Sequence, residues 1–215
     1  MTSILRCDRF DFRLYFLIPL GIFLLCGVVN TAVGLLGVES TFVFLPIFLL
    51  LACILLGLGG GLSAVLFTFP LAVSFSTPRR RALGAVVFYL VAAWVVLAGF
   101  SAGLTLLDRW YVYTALPVLF PGLEVLGDPL YVLGVSYLIA AAALGIVGGF
   151  LGGAVILRFG RKGGWALWGI YMAAILFREQ IAWEAMVGAW PYWLFVLVLL
   201  LGLAVWSLLR WDVKN

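Results

Sequence analysis

The sequence predicts an all-α membrane protein, as its composition and the spacing of its charged residues indicate. Of its 215 residues, 66% are hydrophobic and only 10% are charged, whereas a soluble domain carries about 25% charged residues. The mean hydropathy is +1.25. Uncharged apolar runs of about 20 residues, the length that crosses a bilayer as a helix, recur along the chain. We therefore expect a single polytopic transmembrane domain over residues 1–215.

Counting the apolar runs between charged residues gives six transmembrane helices. Residues 1–13 precede them and carry both acidic and basic side chains. Residues 210–215 form a short tail. The predicted spans are 14–37, 42–69, 83–106, 130–157, 164–177 and 190–209.

The second apolar run leaves two interpretations open, because residues 41–75 contain no charged side chain. As one helix the run would extend roughly 52 Å, which exceeds the thickness of the hydrocarbon core. It forms either two closely spaced spans or one span whose end leaves the bilayer. The distribution of the basic residues favours one span.

With one span in this run, the basic residues collect on one side of the membrane. That side holds 11 of the 13 Lys and Arg residues, and the opposite side holds six of the nine Asp and Glu residues. Cytoplasmic loops are enriched in Lys and Arg. We therefore predict a multi-pass protein of the plasma membrane with both termini in the cytoplasm.

Two segments on the opposite side are too apolar for free loops. Residues 108–129 are rich in aromatic residues and prolines, which predicts an interfacial plug or an aromatic belt. The fifth span is short, and residues 178–189 follow it with many apolar side chains. They are predicted to form either a re-entrant helix or an interfacial helix.

Glycines are dense in the second and fourth spans. Small residues four apart share one helix face and let two helix backbones approach closely. The pattern predicts helix packing within one subunit, a contact between subunits, or a flexible point. The candidate residues are Gly57, Gly61, Gly145, Gly149 and Gly153.

The residue types also exclude several functions. The chain has no His, so a Ser–His pair and a His-ligated metal site cannot form. Its three Cys are scattered and are expected to be small buried apolar residues. The predicted spans contain no charged residue, which argues against proton coupling and an acid-lined cation channel. We expect no catalytic residue, metal site, cofactor or nucleic-acid partner.

The segment from Phe69 to Gly84 is the most informative part of the sequence. Two prolines bracket a short piece of mixed polarity, which predicts a separate helix at the cytoplasmic surface. Such a helix could rest on lipid or fit a groove on a cytosolic partner. Taken alone, the three consecutive arginines that follow could serve only as a topology anchor.

This pattern resembles the permease subunits of ABC-2-type (type V) exporters. The resemblance rests on six spans, on Phe69-Pro70 through Arg79-Arg80, and on the turn Arg158-Phe159-Gly160 after a glycine row. In such permeases the first cytoplasmic loop forms a coupling helix that contacts the ATPase. The resemblance also implies a short N-terminal interfacial helix, here within residues 1–13, along the inner face of the membrane. The coupling residues implied by the resemblance are Ser74, Phe75, Ser76, Thr77, Pro78, Arg79 and Arg80.

The partners that the resemblance implies are a cytosolic ABC ATPase and a second permease chain, identical or different. The chain lacks a Gly-x-x-x-x-Gly-Lys-Ser/Thr phosphate loop, so ATP and Mg²⁺ are expected on the ATPase. The expected substrate is lipid-like, amphipathic or a peptide. The alternatives are a substrate-binding membrane subunit of a vitamin importer and a non-catalytic membrane scaffold subunit.

Overall fold

The computed structural model describes residues 9–36, 40–42, 44–75, 77–121, 124–126, 135–176 and 190–210. These residues form six helical stretches and one pair of short strands. The helices are α1 (Arg9–Leu35), α2 (Leu45–Ser74), α3 (Arg79–Leu119), α4 (Val135–Phe159), α5 (Arg161–Leu176) and α6 (Trp190–Leu209).

The helices confirm the predicted all-α class. Among the described residues, α2, α3, α4 and the part of α1 from Phe12 to Leu35 are long and apolar enough to cross a bilayer. Helix α5 has 16 residues, fewer than the roughly 20 that a perpendicular span needs. The four long apolar helices indicate a multi-pass membrane protein, and the count of six spans stays a prediction.

Two helices extend beyond the predicted spans. Helix α1 begins at Arg9, so residues 9–13 are continuous with the first long helix; residues 1–8 lie outside the described part. Helix α3 has 41 residues and continues to Leu119, about 62 Å at 1.5 Å per residue. The beginning of the predicted outer segment 108–129 is therefore helical, and 178–189 lies outside the described residues.

Helices α2 and α3 each contain one π-helical turn just before a proline. The turns are Ala64–Thr68 and Tyr111–Ala115, and Pro70 and Pro117 follow two residues after each. Proline has no N–H to donate, and its ring clashes with the carbonyl one turn earlier. A wider turn relieves that clash, so each helix continues through its proline.

A short parallel strand pair lies outside the helices. Strand β1 (Ser40–Phe42) follows α1, and β2 (Glu124–Leu126) follows α3. Ser40 pairs with Glu124 and Phe42 with Leu126. The segments that follow α1 and α3 therefore lie side by side, a pairing that the sequence pattern did not predict.

The chain divides into two compact units. The first unit comprises Met1–Gly60 and Tyr89–Val147, and the second comprises Gly61–Phe88 and Gly148–Asn215. Leu45, Leu49 and Leu97 are fully buried in the first unit, whereas Val65 and Phe69 are fully buried in the second. Each unit thus has buried apolar side chains of its own.

The predicted glycines lie where helices approach closely within the chain. In the first unit, a Cβ at Gly145 would lie 2.5 Å from the carbonyl oxygen of Ile54, and a Cβ at Gly57 would lie 2.9 Å from that of Ala142. In the second unit, a Cβ at Gly153 would lie 2.8 Å from the Cβ of Val65. Gly61 and Gly149 are also buried. These contacts let the α2 and α4 backbones pack directly.

The close approach at Gly145 gives a prediction about stability. Gly145→Ala is expected to lower the free energy of unfolding by about 1–3 kcal/mol, because its methyl group would overlap a backbone carbonyl that cannot easily move. Thermal unfolding of the detergent-solubilised protein measures this. Gly148→Ala is the matched control, since nothing lies within 4 Å of its added Cβ. Equal stability of the two variants would contradict the packing.

Candidate functional site

The predicted coupling segment forms a tight turn between α2 and α3. Helix α2 ends at Ser74, whose hydroxyl donates to the carbonyl of Leu71 at 2.7 Å. The amide of Thr77 donates to the carbonyl of Ala72 at 3.3 Å. The carbonyl of Pro78 accepts from the amides of the third and fourth residues after it, at 2.8 and 3.0 Å, so α3 begins immediately.

The prediction of a separate surface helix is therefore wrong for the described residues. Residues Phe69–Ser74 are the last six residues of α2, continuous with its π turn. A turn too short to hold a helix follows, because α3 begins at Arg79. Ser76 lies outside the described residues. We name the segment from Ser74 to Arg81 the arginine turn.

The arginine turn presents an apolar side chain next to exposed cations. The Phe75 side chain is 73% exposed. Arg80 and Arg81 are exposed, whereas Arg79 is half-buried. Water disfavours such an exposed aromatic ring, so a lipid or protein surface is its natural environment.

Arg79 forms a hydrogen bond that joins the arginine turn to the end of α6. Its Nη1 donates to the carbonyl oxygen of Leu209 at 3.3 Å. The last carbonyls of a helix lack intrahelical partners and carry partial negative charge, so a guanidinium there is favourable. The next residue, Arg210, lies 4.5 Å from the ring centre of Trp206. The start of α3 and the end of α6 therefore meet at one place.

The described residues of the second unit carry charge of one sign. They include no Asp or Glu, and their charged residues are Arg79, Arg80, Arg81, Arg158, Arg161, Lys162 and Arg210. A partner that docks on this unit would accordingly present acidic groups or anionic headgroups.

The turn between α4 and α5, in the same unit, also exposes an aromatic side chain close to a basic one. Helix α4 ends at Phe159, and Gly160 adopts a φ of +60°, a conformation that favours glycine. A Cβ at Gly163 would lie 2.7 Å from the carbonyl oxygen of Val155, so α5 returns close to α4. The side chains of Phe159 and Arg161 are exposed. The sequence identified this turn through Arg158-Phe159-Gly160.

Sequence reasoning missed a buried polar face on α3. Ser101, Thr105 and Asp108 are buried, and their spacing of four and three residues places them on one helix face. The Thr105 hydroxyl donates to the carbonyl of Ser101 at 2.9 Å, and the thiol of Cys53 donates to the Ser101 hydroxyl at 3.4 Å. Asp108 was expected in an outer loop, and it lies instead within helix α3.

Asp108 lines a cleft of the first unit. The cleft has a volume of about 510 Å³ and is walled mainly by apolar residues of α1 between Phe23 and Leu35. Tyr111 and Thr31 also line it, and their hydroxyls are 2.7 Å apart. Within the described residues no group of three or more metal-ligating side chains occurs.

Comparison with known proteins adds no relative. No family model, no curated protein and no solved structure matches the chain. The arginine turn and the Asp108 cleft are consequently interpreted from their own chemistry.

The hydrogen bond from Arg79 gives a second prediction. Arg79→Ala is expected to lower the free energy of unfolding by about 1–2 kcal/mol, because the end of α6 loses a charged donor. Arg80→Ala serves as the control and should change it by less than about 0.5 kcal/mol, since that side chain is exposed. Thermal unfolding in detergent distinguishes the two; a smaller effect at Arg79 than at Arg80 would contradict the contact.

Proposed function

We propose that this chain is a membrane-spanning permease subunit of a bacterial ABC transporter, most consistent with an exporter. A separate cytosolic ATPase would bind ATP and Mg²⁺ and drive it through the arginine turn. A second permease chain, identical or different, would complete the transport path. The observation that carries the proposal is the arginine turn itself, with exposed Phe75 beside Arg80 and Arg81.

The sequence supports the proposal that a separate subunit hydrolyses ATP. No phosphate-loop motif occurs in the sequence, so the chain has no nucleotide site of that kind. An ATPase can shift a permease between two conformations only by contacting them differently. A turn that is hydrogen-bonded to two helices can transmit such a contact to both of them. In the arginine turn, Thr77 bonds to Ala72 of α2, and the Pro78 carbonyl accepts from the first turn of α3.

The contact between Arg79 and Leu209 supports a cytoplasmic position for the arginine turn. Helices α3, α4, α5 and α6 lie between these two residues in sequence. If each crosses the bilayer, their even number returns the chain to the side from which it started. The turn and the C-terminus would then share the side that the positive-inside rule assigns to the cytoplasm.

The paired strands support the same topology at the other side. Strands β1 and β2 are separated in sequence by α2 and α3, again an even number of crossings. The segments that contain Ser40 and Glu124 lie side by side, as two loops on one face of a membrane can. The predicted arrangement of six spans with both termini in the cytoplasm fits both contacts.

The charge of the arginine turn gives a direct test. Arg80→Glu is expected to reduce the amount of ABC-type ATPase that co-purifies with the tagged chain from its native membranes at least about tenfold, because a like charge then faces the acidic partner surface. Quantitative mass spectrometry of the purified complex and its ATP hydrolysis rate provide the readout. Arg80 is preferred over Arg79 because the latter also holds α6.

The matched control is Arg109→Glu, which makes the same charge change at an exposed position of the first unit. This variant is expected to retain the ATPase in wild-type amounts. The proposal fails if the wild-type chain retains no ABC-type ATPase, or if both variants retain it equally well.

A further inference from the structure

A groove lies beside the turn that joins α4 to α5, within the second unit. It measures about 590 Å³, within the range of roughly 300–1,000 Å³ that small-molecule sites occupy. Four of its six lining residues belong to α5, and their spacing of three, one and three positions places them on one helix face. The lining residues are Ile156, Gly160, Arg161, Gly164, Trp165 and Trp168.

The groove extends from the end of a membrane-length helix back along that helix. Helix α4 is long and apolar enough to cross a bilayer, and its last turn carries Arg158, which marks the headgroup region. Helix α5 returns beside α4, since a Cβ at Gly163 would lie 2.7 Å from the carbonyl oxygen of Val155. The end of the groove at the turn therefore lies among headgroups, and its other end lies nearer the hydrocarbon core.

Two exposed tryptophans line the deeper end of the groove. Trp165 and Trp168 are 59% and 56% exposed, and their ring centres lie 5.7 Å apart. Tryptophan is enriched at the boundary between headgroups and hydrocarbon, because its ring is apolar and its N–H is polar. Since Gly164 has no side chain, the space between Arg161 and the two rings is open.

The charge at the other end favours an anionic group. Arg161 is exposed, and so are Arg158 and Lys162 beside it in the chain. The described part of the second unit includes no Asp or Glu, so no carboxylate side chain there balances these three charges. A guanidinium binds a phosphate group through charge-assisted hydrogen bonds. The neighbouring cations would repel the ammonium group of a choline headgroup, so a headgroup with net negative charge fits best.

We propose that this groove binds an anionic glycerophospholipid of the surrounding membrane. Its phosphate would lie at Arg161, and its glycerol and the first part of an acyl chain would lie over Gly164, against Trp165 and Trp168. A soluble anion or an acidic protein segment would gain little from two indoles at this depth, whereas a phospholipid gains from both ends of the groove. The site does not depend on the proposed ATPase contact of the arginine turn.

Two lipids with the same acyl chains and different headgroups test the proposal. Phosphatidylglycerol and phosphatidylcholine are titrated against the full chain in detergent, and native mass spectrometry gives the dissociation constant of the first lipid bound. Phosphatidylglycerol should bind at least about fivefold more tightly. Arg161→Gln should weaken its binding about fivefold, the effect of one cation near an anionic lipid. Arg109→Gln, which removes the same charge at an exposed position of the first unit, should leave it unchanged.

A second variant separates the groove from diffuse positive charge. Gly164→Leu adds a side chain in the groove, where nothing lies within 4 Å of an added Cβ, and it leaves every cation in place. Phosphatidylglycerol should bind at least about fivefold more weakly, because the added side chain occupies the space between Arg161 and Trp168. Gly169→Leu is the matched control in the same helix, since that glycine lies outside the groove and also has open space around an added Cβ.

Several outcomes would overturn the proposal. They are equal affinity for the two lipids, unchanged phosphatidylglycerol binding in either groove variant, and equal weakening by Gly169→Leu. Glycerol phosphate and a polyglutamate peptide, which are anions without acyl chains, should not displace the lipid. Displacement by either anion at the concentration of the lipid would also contradict the proposal, because the site would then recognise charge alone.

Discussion

The structure depends on one constraint, that backbone N–H and C=O groups in a bilayer must bond to each other because no water is available. A chain with 10% charged residues meets it by forming long helices. The same constraint explains the π turns before Pro70 and Pro117, which keep α2 and α3 continuous where proline removes a donor. It also explains why the glycines matter, since helices without a hydrophobic driving force between them associate by close packing.

The two units present different chemistry to their surroundings. The described part of the second unit is purely basic in charge and exposes Phe75 in the arginine turn, which suits docking to an acidic or anionic surface. The first unit has a cleft of about 510 Å³ that is walled mainly by apolar residues of α1.

The helical class and most helix positions were predictable from the sequence. The thickness of the bilayer sets the length of an apolar helix and the spacing of charged residues, whichever helices pack together. The bounds of α6 match the predicted span, and the turn at Gly160 is where its sequence indicated. The end of α3 was not predictable from charge alone, because Asp108 and Arg109 read as the start of a loop. Only the spacing of Ser101, Thr105 and Asp108 hinted that the helix continues with a polar inner face. The contact of Arg79 with Leu209 joins residues 130 positions apart, which no local pattern encodes.

The proposed topology places the arginine turn on the cytoplasmic side of the membrane and the end of α3 on the opposite side. Arg81→Cys and Pro121→Cys, both at exposed positions, test it in a background where Cys7, Cys26 and Cys53 are replaced by Ala. A membrane-impermeant maleimide is added to right-side-out and inside-out vesicles. We expect the Arg81→Cys protein to react only in inside-out vesicles and the Pro121→Cys protein only in right-side-out vesicles. Labelling of the Arg81→Cys protein in right-side-out vesicles would contradict the account.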